Sequence, residues 1–272
     1  MEIKYTNEVA VKIESRLFEK QFDMTFLEIH DFYEVYYLLS GERKYFIEDT
    51  IYKIEAGDVV FVPPNVLHRS LTDGDGRYSR IHIAIPSRVF EEKMLSEFET
   101  AFNGYILKIP SKRKKFFEQI LEKMEYEYNK NDSYSEYLIN NAVNELLVFL
   151  LRVNKGMEFQ PSEIESDRII SQAAYFIRMN HCFPITLEEV ASEVGMSRTY
   201  FSKLFKRKTG FGFSDYLAGV RITEAAQLLT ETDMDITSVA TRCGYSDSSY
   251  FAAVFKKIKG VTPVKYRKSS RT

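Results

Sequence analysis

The chain has 272 residues, of which 44% are hydrophobic and 28% are charged, and its formal net charge is −2 at pH 7. This length and composition are ordinary for a globular protein of two domains. It has no run of about 18 apolar residues and its N-terminus lacks the apolar stretch of a secretory signal, so we expect no membrane span and no export. Its only cysteines, Cys182 and Cys243, are too few for a disulfide framework, and we therefore expect a cytoplasmic protein.

Charge is divided unequally along the chain. Residues 1–166 carry 21 basic and 29 acidic side chains, whereas residues 167–272 carry 16 basic and 10 acidic ones. A basic C-terminal part joined to an acidic N-terminal part is typical of a polyanion-binding module with a separate, non-binding domain. A chance partition of surface charge would give the same numbers, so the charge alone does not identify a polyanion-binding domain, and sequence motifs are needed to do so.

Residues 1 to about 85 are predicted to be β-structure. Short runs rich in β-branched and aromatic residues alternate there with turn signals of Gly, Pro and Asn. The runs are Val35–Leu39, Lys44–Glu48, Asp58–Val62 and Arg80–Ile85. Many short strands at this spacing predict a small barrel or sandwich.

Two segments of this part resemble the paired motifs of the cupin superfamily. The first motif is Glu28-x-His30-x3-Glu34-x6-Gly41, and the second is Gly57-x5-Pro63-x-Asn65-x2-His68-x3-Thr72. The first departs from the family because Glu28 stands where a histidine is usual, and the second because Asn65 and Thr72 replace a usual Gly and Asn. The resemblance implies that the polar side chains of both motifs converge inside a barrel.

These positions allow three interpretations. In metal-binding cupins they hold a metal, so Glu28, His30, Glu34 and His68 would form a mixed N/O site for Mn, Fe, Ni or Zn. Alternatively, the acidic residues lie on the surface and the histidines only form hydrogen bonds inside the barrel. We favour a pocket for a small molecule, without metal or other cofactor. The predicted ligand-binding residues are Glu28, His30, Glu34, Tyr36 and His68. No set of residues forms a catalytic constellation, and we expect no enzyme activity.

Residues 88–155 change to a helical period. Apolar residues from Phe117 to Tyr128 follow i, i+3, i+4, i+7, i+11 spacing, which predicts a helix that packs on the barrel. A second, broader apolar stripe runs from Leu138 to Leu150. The stretch 156–166 contains Gly156 and Pro161 and has no apolar period, so it is predicted to be a linker between a domain of residues 1–155 and a domain of residues 167–272.

One pattern occurs twice in the C-terminal domain. Val190, Ala191, Gly195 and Ser197 recur 49 residues later, and five further residues from Tyr200 to Gly210 recur 50 residues later. The second set is Tyr200, Phe201, Phe205, Lys206 and Gly210. Identities that keep both order and chemistry indicate a duplicated structural unit.

Each copy has the plan of a helix-turn-helix. Thr186 and Glu189 form a capping box, Gly195 supplies the left-handed turn residue, and Ser197 caps the next helix. Tyr200, Phe201, Leu204 and Phe205 are predicted to face inward, and in the second copy Ser246 is the predicted cap and Tyr250 faces inward. The outward residues are the predicted DNA contacts, namely Ser197, Arg198, Thr199, Ser202, Lys203 and Lys206 in the first copy and Ser246, Asp247, Ser248, Ser249, Ala253 and Lys256 in the second. Because the first copy has more cations, we expect it to bind DNA more strongly.

The segment between the copies carries a longer signature. Ser214–Thr230 has helical spacing and would form a rod of about 25 Å between the two units. The signature reads Gly210-x2-Phe213-x2-Tyr216-Leu217-x3-Arg221-x3-Ala225-x2-Leu228-Leu229, and the tail reads Gly244-Tyr245-Ser246-Asp247-x2-Tyr250-Phe251-x3-Phe255-Lys256-x3-Gly260-x2-Pro263-x2-Tyr266-Arg267. Both resemble the AraC/XylS family of bacterial transcription regulators.

The family resemblance implies a fold and a function. The expected fold class is α+β with two domains, a cupin-like β-barrel with flanking helices and an all-α domain whose two helix-turn-helix motifs are joined by a central helix. The implied partners are a double-stranded DNA operator, a small-molecule effector, of which sugars are the commonest class, and RNA polymerase. In this family the helix after the barrel often pairs subunits, so a homodimer through Tyr134–Val153 is expected. We therefore expect an activator of a carbohydrate-utilisation operon.

Three other classes of protein are alternatives. A metal-dependent cupin enzyme fused to a DNA domain would need a bound metal, and Glu28 in place of a histidine argues against it. A barrel that only dimerises is left open. A DNA-repair methyltransferase needs reactive cysteines outside the DNA-reading domain, whereas Cys182 and Cys243 both lie inside it, so this class is excluded.

Overall fold

The computed structural model describes residues 3–6, 10–19, 27–72, 76–90, 105–154 and 165–270. The N-terminal part contains ten strands within those residues, followed by two helices. The strands are β1 (Ile3–Thr6), β2 (Lys12–Phe18), β3 (Leu27–His30), β4 (Phe32–Ser40), β5 (Glu42–Ile47), β6 (Thr50–Glu55), β7 (Asp58–Val62), β8 (His68–Thr72), β9 (Tyr78–Pro86) and β10 (Ile106–Lys108). The four runs predicted as strands coincide with β4, β5, β7 and β9, which confirms those predictions.

The strands form two five-stranded sheets. The first has the order β1-β3-β8-β5-β6 and the second the order β10-β7-β4-β9-β2. A buried apolar cluster with members from β4 and β9 of one sheet and β5 and β6 of the other lies between them. No ladder of hydrogen bonds joins the sheets among the described strands, so the predicted barrel is an open β-sandwich.

Alternation along the strands separates the inner face of each sheet from its outer face. On β4, Tyr36 and Leu38 face the sandwich interior, whereas Val35 and Tyr37 belong to the cluster that the flanking helices cover. The first sheet behaves in the same way, because Phe46 on β5 packs outward against the C-terminal part. Each sheet therefore uses one face for the interior and the other for a neighbouring layer.

The outer face of the second sheet is covered by helices α1 (Ser111–Lys130) and α2 (Ser135–Asn154). Phe117 and Leu121 on α1 and Leu146 and Leu150 on α2 are each at most 1% exposed in the cluster shared with that sheet. The predicted inward position of Tyr128 is wrong, because its side chain is 37% exposed. Most of the predicted linker, residues 156–166, lies outside the described residues.

The C-terminal part consists of seven helices within residues 165–270. They are α3 (Glu165–Met179), α4 (Leu187–Glu193), α5 (Arg198–Thr209), α6 (Phe213–Glu231), α7 (Ile236–Arg242), α8 (Ser248–Lys259) and α9 (Pro263–Ser270). Helices α4 and α5 form the first helix-turn-helix, α7 and α8 form the second, and α6 lies between them as predicted. Among the described helices, none is long and apolar enough to cross a membrane.

The outer face of the first sheet packs against the C-terminal helices. Ile29, Phe46 and Leu71 share one buried cluster with residues of α5 and α6, and the rings of Phe46 and Tyr216 lie 5.6 Å apart. Arg178 on α3 pairs with Asp49 at 2.6 Å. The two parts of the chain are therefore joined by an apolar contact with polar contacts around it.

Both helix-turn-helix units contact this sheet at the C-terminal ends of α5 and α8. Lys259, the last residue of α8, is 0% exposed and its Nζ donates to Asn65 Oδ1 at 2.7 Å. At the end of α5, a Cβ placed on Gly210 would lie 1.4 Å from Arg69 Nη1. Only a glycine there lets the β8 arginine approach the helix end so closely.

Candidate functional site

The first helix-turn-helix is built as its local sequence dictates. Thr186 and Glu189 form the predicted capping box, in which Thr186 N donates to Glu189 Oε2 at 2.7 Å and Glu189 N donates to Thr186 Oγ1 at 3.3 Å. Gly195 has φ +67°, the left-handed conformation that the turn requires. Ser197 Oγ accepts a hydrogen bond from Tyr200 N and caps α5. These predictions are confirmed.

The second helix-turn-helix differs from the first in the position of the residue that caps its second helix. Gly244 has φ +82°, as expected from its counterpart in the first copy. The predicted cap Ser246 is wrong, because Asp247 Oδ1 accepts from Tyr250 N at 2.6 Å and α8 begins at Ser248. The physical reason is the inserted residue, which lengthens the turn by one position and places Asp247 three residues before Tyr250, as Ser197 is three residues before Tyr200.

The outward faces of α5 and α8 carry the predicted DNA-contacting residues. Ten of the twelve are exposed, and Ser202 and Ser248 are half-buried. The predicted inward positions of Tyr200 and Tyr250 are wrong, since the side chains are 57% and 64% exposed. The tyrosines occupy equivalent positions in the first turns of α5 and α8, and the inner face of each helix is filled by phenylalanines. The surface available to DNA is thus wider than the sequence pattern indicated.

Two arginines of the family signature have structural roles. Arg221 on α6 donates from Nε to His181 O at 2.7 Å and from Nη2 to Phe183 O at 2.9 Å, which ties α6 to the loop before α4. Arg267 on α9 donates from Nε to Leu229 O at 3.2 Å and from Nη2 to Met234 O. Each arginine satisfies carbonyl groups next to one helix-turn-helix unit and fixes that unit on the central helix.

A buried carboxylate organises one end of the sandwich interior. Glu34 is 2% exposed, and its Oε2 lies 3.3 Å from His30 Nε2, 3.4 Å from His68 Nε2 and 3.2 Å from His82 Nε2. Tyr45 donates its hydroxyl to Glu34 Oε1 at 3.3 Å. His30, Glu34 and His68 therefore converge as predicted, and the interpretation that Glu34 is a surface or turn residue is wrong.

The remaining predicted ligand residues have different positions. Tyr36 is buried and packs with Tyr45, its ring centroid 5.1 Å from that of Tyr45. Glu28 is half-buried and pairs in register with His68 across β3 and β8. Its charge helps to raise the pKa of His68, but it does not belong to the set of donor atoms that comes together at His30, Glu34 and His68.

The environment of the cluster determines its charge. Burial alone would raise the pKa of Glu34, but the charge of His82 and hydrogen bonds from three imidazoles hold it well below its ordinary value. Burial lowers the pKa of His30 to about 4 despite the hydrogen bond to Glu34. Burial also opposes protonation of His68, yet its contacts with Glu34 raise the pKa of His68. The cluster thus places a carboxylate beside two imidazoles whose pKa values shift in opposite directions.

These groups also form a set of possible metal ligands. One donor atom from each of His30, Glu34 and His68 lies within 4.8 Å of the others. Nitrogen and carboxylate donors of this kind suit Mn, Fe, Ni or Zn. Glu28 is not in this group, so the four-residue metal set considered from the sequence is not the one that the fold brings together.

The other end of the sandwich interior is cationic, and its arginines belong to none of the sequence motifs. Arg43 is 0% exposed and donates to Ser70 Oγ at 2.9 Å and Thr72 Oγ1 at 3.1 Å. Arg80 lies on β9, two residues before His82, and pairs with Glu14 at 2.7 Å. The period-2 alternation of Arg80–Ile85 could have indicated that Arg80 and His82 share a face opposite the isoleucines.

Comparisons with known proteins agree with both halves of this geometry. Residues 190–269 match the family model described as a helix-turn-helix domain, and residues 19–143 match the AraC-like ligand binding domain. The chain is 25% identical to the HTH-type transcriptional activator RhaR of Escherichia coli O139:H28 over 88% of this chain and 85% of the relative. It is 23% identical to the Msm operon regulatory protein of Streptococcus mutans over the same shares of the two chains.

Two solved structures also show similarity to the chain. ToxT from Vibrio cholerae with a bound unsaturated fatty acid is 16% identical over 96% of both chains, with a TM-score of 0.39. The C-terminal domain of AraT from Geobacillus stearothermophilus is 34% identical over 39% of this chain and 88% of that domain, with a TM-score of 0.38. The assignment to a family comes from the two family models. Together they cover more than half of the sequence, and the chain belongs to the AraC family of helix-turn-helix transcriptional regulators.

Proposed function

We propose that this chain is a cytoplasmic, non-enzymatic activator of a carbohydrate-utilisation operon, which binds its operator as a homodimer and responds to a sugar in the sandwich interior. The observation that carries the proposal is the pair of helix-turn-helix units with outward polar faces, held on one helix beside a buried polar interior. The relatives named as a transcriptional activator and an operon regulatory protein support the same role.

Operator recognition would use both copies. Helix α6 has 19 residues, which corresponds to about 28 Å, so α5 and α8 would enter successive major grooves about 34 Å apart along one face of the DNA. Arg198, Lys203 and Lys206 give the first copy its cations. In the second copy the Asp247 carboxylate is engaged in capping α8, so this copy would supply weaker contacts.

The effector would bind between the sheets. Glu28, His30, Glu34, Tyr36 and His68 are the proposed ligand-binding residues. His82 joins them because it lies within 3.2 Å of Glu34. A network of imidazole, carboxylate and hydroxyl groups can both donate to and accept from the hydroxyl groups of a sugar.

Strand β8 offers a direct route from the effector to the DNA-reading units. His68 faces the interior, and the next residue, Arg69, faces the opposite way, with its Cζ 5.0 Å from the ring of Phe211. Arg69 also lies against Gly210 at the end of α5. A shift of β8 on effector binding would therefore move the contact that positions the first recognition helix.

The proposed homodimer would use part of Tyr134–Val153. Leu146, Leu147 and Leu150 of the α2 stripe are buried within the protomer, so they are not free to contact a second copy, whereas Leu138 is 37% exposed. Tyr134 and Tyr137 are 70% and 73% exposed at the start of α2, and Tyr126 on α1 is 64% exposed. These aromatic side chains around the α1–α2 connection are the surface that we assign to the partner subunit, whereas RNA polymerase would contact the DNA-bound complex.

The experiment that tests this function is selection of operator sequences from random duplexes with the full-length protein, with and without a panel of sugars. We expect enrichment of one asymmetric sequence and a change in its affinity with one class of sugar. Enrichment of no sequence would refute DNA-specific regulation. A defined operator whose affinity no small molecule changes would instead support the alternative in which the N-terminal part only dimerises.

A further inference from the structure

The sandwich interior has one end that contains Glu34 and histidines and another end that contains arginines. Residues of the same strands, β4 and β9, line both ends. On β9, His82 belongs to the Glu34 end and Arg80 to the other end, two residues or about 7 Å apart. On β4, Tyr36 pairs in register with His82, while Leu38 pairs with Arg80. Tyr45 lies at the boundary, because its hydroxyl donates to Glu34 and its ring contacts that of Tyr36.

Two guanidinium groups from different sheets converge on the tyrosines of the second end. Arg43 Cζ lies 4.2 Å from the centre of the Tyr78 ring. Arg80 Cζ lies 5.6 Å from the centre of the Tyr36 ring. The charges of both arginines oppose the rise that burial causes in the pKa of Tyr36. Cations from two strands thus face the same small region.

Two polar atoms in this region have no hydrogen-bond partner among the described residues. The hydroxyl of Tyr36 is one, on a side chain that is 3% exposed, and Nη1 of Arg80 is the other. A buried donor left without a partner destabilises the folded chain, and a ligand that accepts from it removes this cost. The Glu34 carboxylate cannot offset these donors, since its two oxygens already contact three imidazoles and Tyr45.

We propose that the sandwich interior binds an acidic sugar, a hexuronic or aldonic acid, with its carboxylate between Arg43, Arg80 and the Tyr36 hydroxyl and its hydroxyl groups toward Glu34 and the histidines. A carboxylate accepts several hydrogen bonds and carries the charge opposite to that of both guanidinium groups, whereas a neutral sugar carries none. Arg80 already has Glu14 as one partner through Nη2, so the ligand carboxylate would take its Nη1. This inference rests on the proposed function, because it names the class of effector for the same site.

The test compares acids with their neutral parents on the full-length protein. Galacturonate, glucuronate and gluconate are titrated against galactose and glucose by calorimetry and thermal shift, with sodium acetate at equal ionic strength as the control for salt. We expect at least one sugar acid to bind ten times more tightly or better than its neutral parent, and acetate alone to give no shift. A neutral sugar that binds as tightly as its acid would overturn the inference and leave the proposed sugar response standing.

Variants separate the carboxylate contact from general stability. Arg80→Gln should lower the affinity for the acid at least tenfold, and Tyr36→Phe should lower it several-fold. Arg113→Gln, at an exposed arginine on α1, should leave it unchanged. Equal loss of acid and neutral binding in Arg80→Gln would contradict the assignment, as would a Zn²⁺ or Mn²⁺ response that matches the effect of the acid. If none of the compounds binds while operator binding stays specific, the inference is wrong and DNA recognition is unaffected.

Discussion

The burial of Lys259, where the sandwich contacts the second recognition helix, predicts how the free energy of unfolding changes with pH. Its side chain is 0% exposed, and burial lowers its pKa from 10.5 to about 7 against the opposing charge of Asp31. A lysine whose pKa is lower in the folded chain than in the unfolded chain binds fewer protons when folded. Between pH 7 and 10.5 the free energy of unfolding therefore rises with pH.

The magnitude follows from the pKa difference. One pKa unit corresponds to about 1.4 kcal/mol, so burial of Lys259 costs about 4 kcal/mol at pH 7 and nothing above pH 10.5. Lys259→Met keeps the length of the side chain and removes the titrating group. Asn65 Oδ1 retains a donor in this variant, because the Tyr266 hydroxyl lies 3.2 Å away. We expect the variant to be more stable than the wild type at pH 7, by up to about 4 kcal/mol.

Urea unfolding followed by circular dichroism from pH 6 to pH 10 measures this difference. The advantage of Lys259→Met should be largest near pH 7 and should shrink steadily as the pH approaches 10.5. Lys257→Met, at an exposed position in the same turn of α8, should change stability little at any pH. A Lys259→Met advantage that does not vary with pH would refute the reasoning, since it would mean that the lysine does not titrate differently in the folded chain.

Further predictions concern the turns, the DNA contacts and the subunit contact. Gly244→Ala should lower the free energy of unfolding by about 2–4 kcal/mol, because the added Cβ would lie 2.7 Å from the carbonyl oxygen of His181. In Gly195→Ala the added Cβ has open space around it, so this variant should lose only about 1 kcal/mol through left-handed backbone strain. Equal decreases in melting temperature for the two variants would contradict the close packing at Gly244. Arg198→Ala should weaken operator binding by about 1–3 kcal/mol and relax base preference, as fluorescence anisotropy with operator variants can measure; unchanged affinity would exclude the contact. Tyr137→Glu should lower the sedimenting mass, and an unchanged mass would exclude this face as the dimer contact.

The sequence predicted the elements whose signals are local. The capping box at Thr186, the left-handed glycine at Gly195 and the strands around Val35 and Phe61 follow from residues that lie next to one another in the chain. The repeat itself indicated two equivalent units. Such features need no knowledge of the tertiary structure.

Features that depend on contacts distant in sequence could not be predicted in the same way. Tyr200 and Tyr250 fit an inward helical period, yet other aromatic residues fill the core and leave them exposed. The apolar stripe of α2 is broad enough in the sequence to serve a partner, but the second sheet and α1 bury Leu146, Leu147 and Leu150. Lys259 has the pattern of a surface cation, and only its docking against Asn65 removes it from solvent.

The residues of the proposed ligand site could be predicted only in part, because some of them come together through contacts that are distant in sequence. His30, Glu34 and His68 belong to two motifs, so the sequence could group them. His82, Arg43 and Arg80 belong to no motif and reach the interior only because β5 and β9 lie beside the motif strands. The alternation of polar and apolar residues along β9 was the sequence signal that pointed to Arg80 and His82, and Arg43 on β5 had no such signal.

The central claim is that two unequal recognition helices read one DNA site together. Hydroxyl-radical footprinting of the full-length protein on its selected operator tests this claim most directly. For each subunit, two protected patches on the same face of the DNA, one helical turn apart, are predicted, and Arg198→Ala should weaken the patch of the first copy before that of the second. A single patch for each subunit, or two patches of one subunit on opposite faces, would contradict this claim.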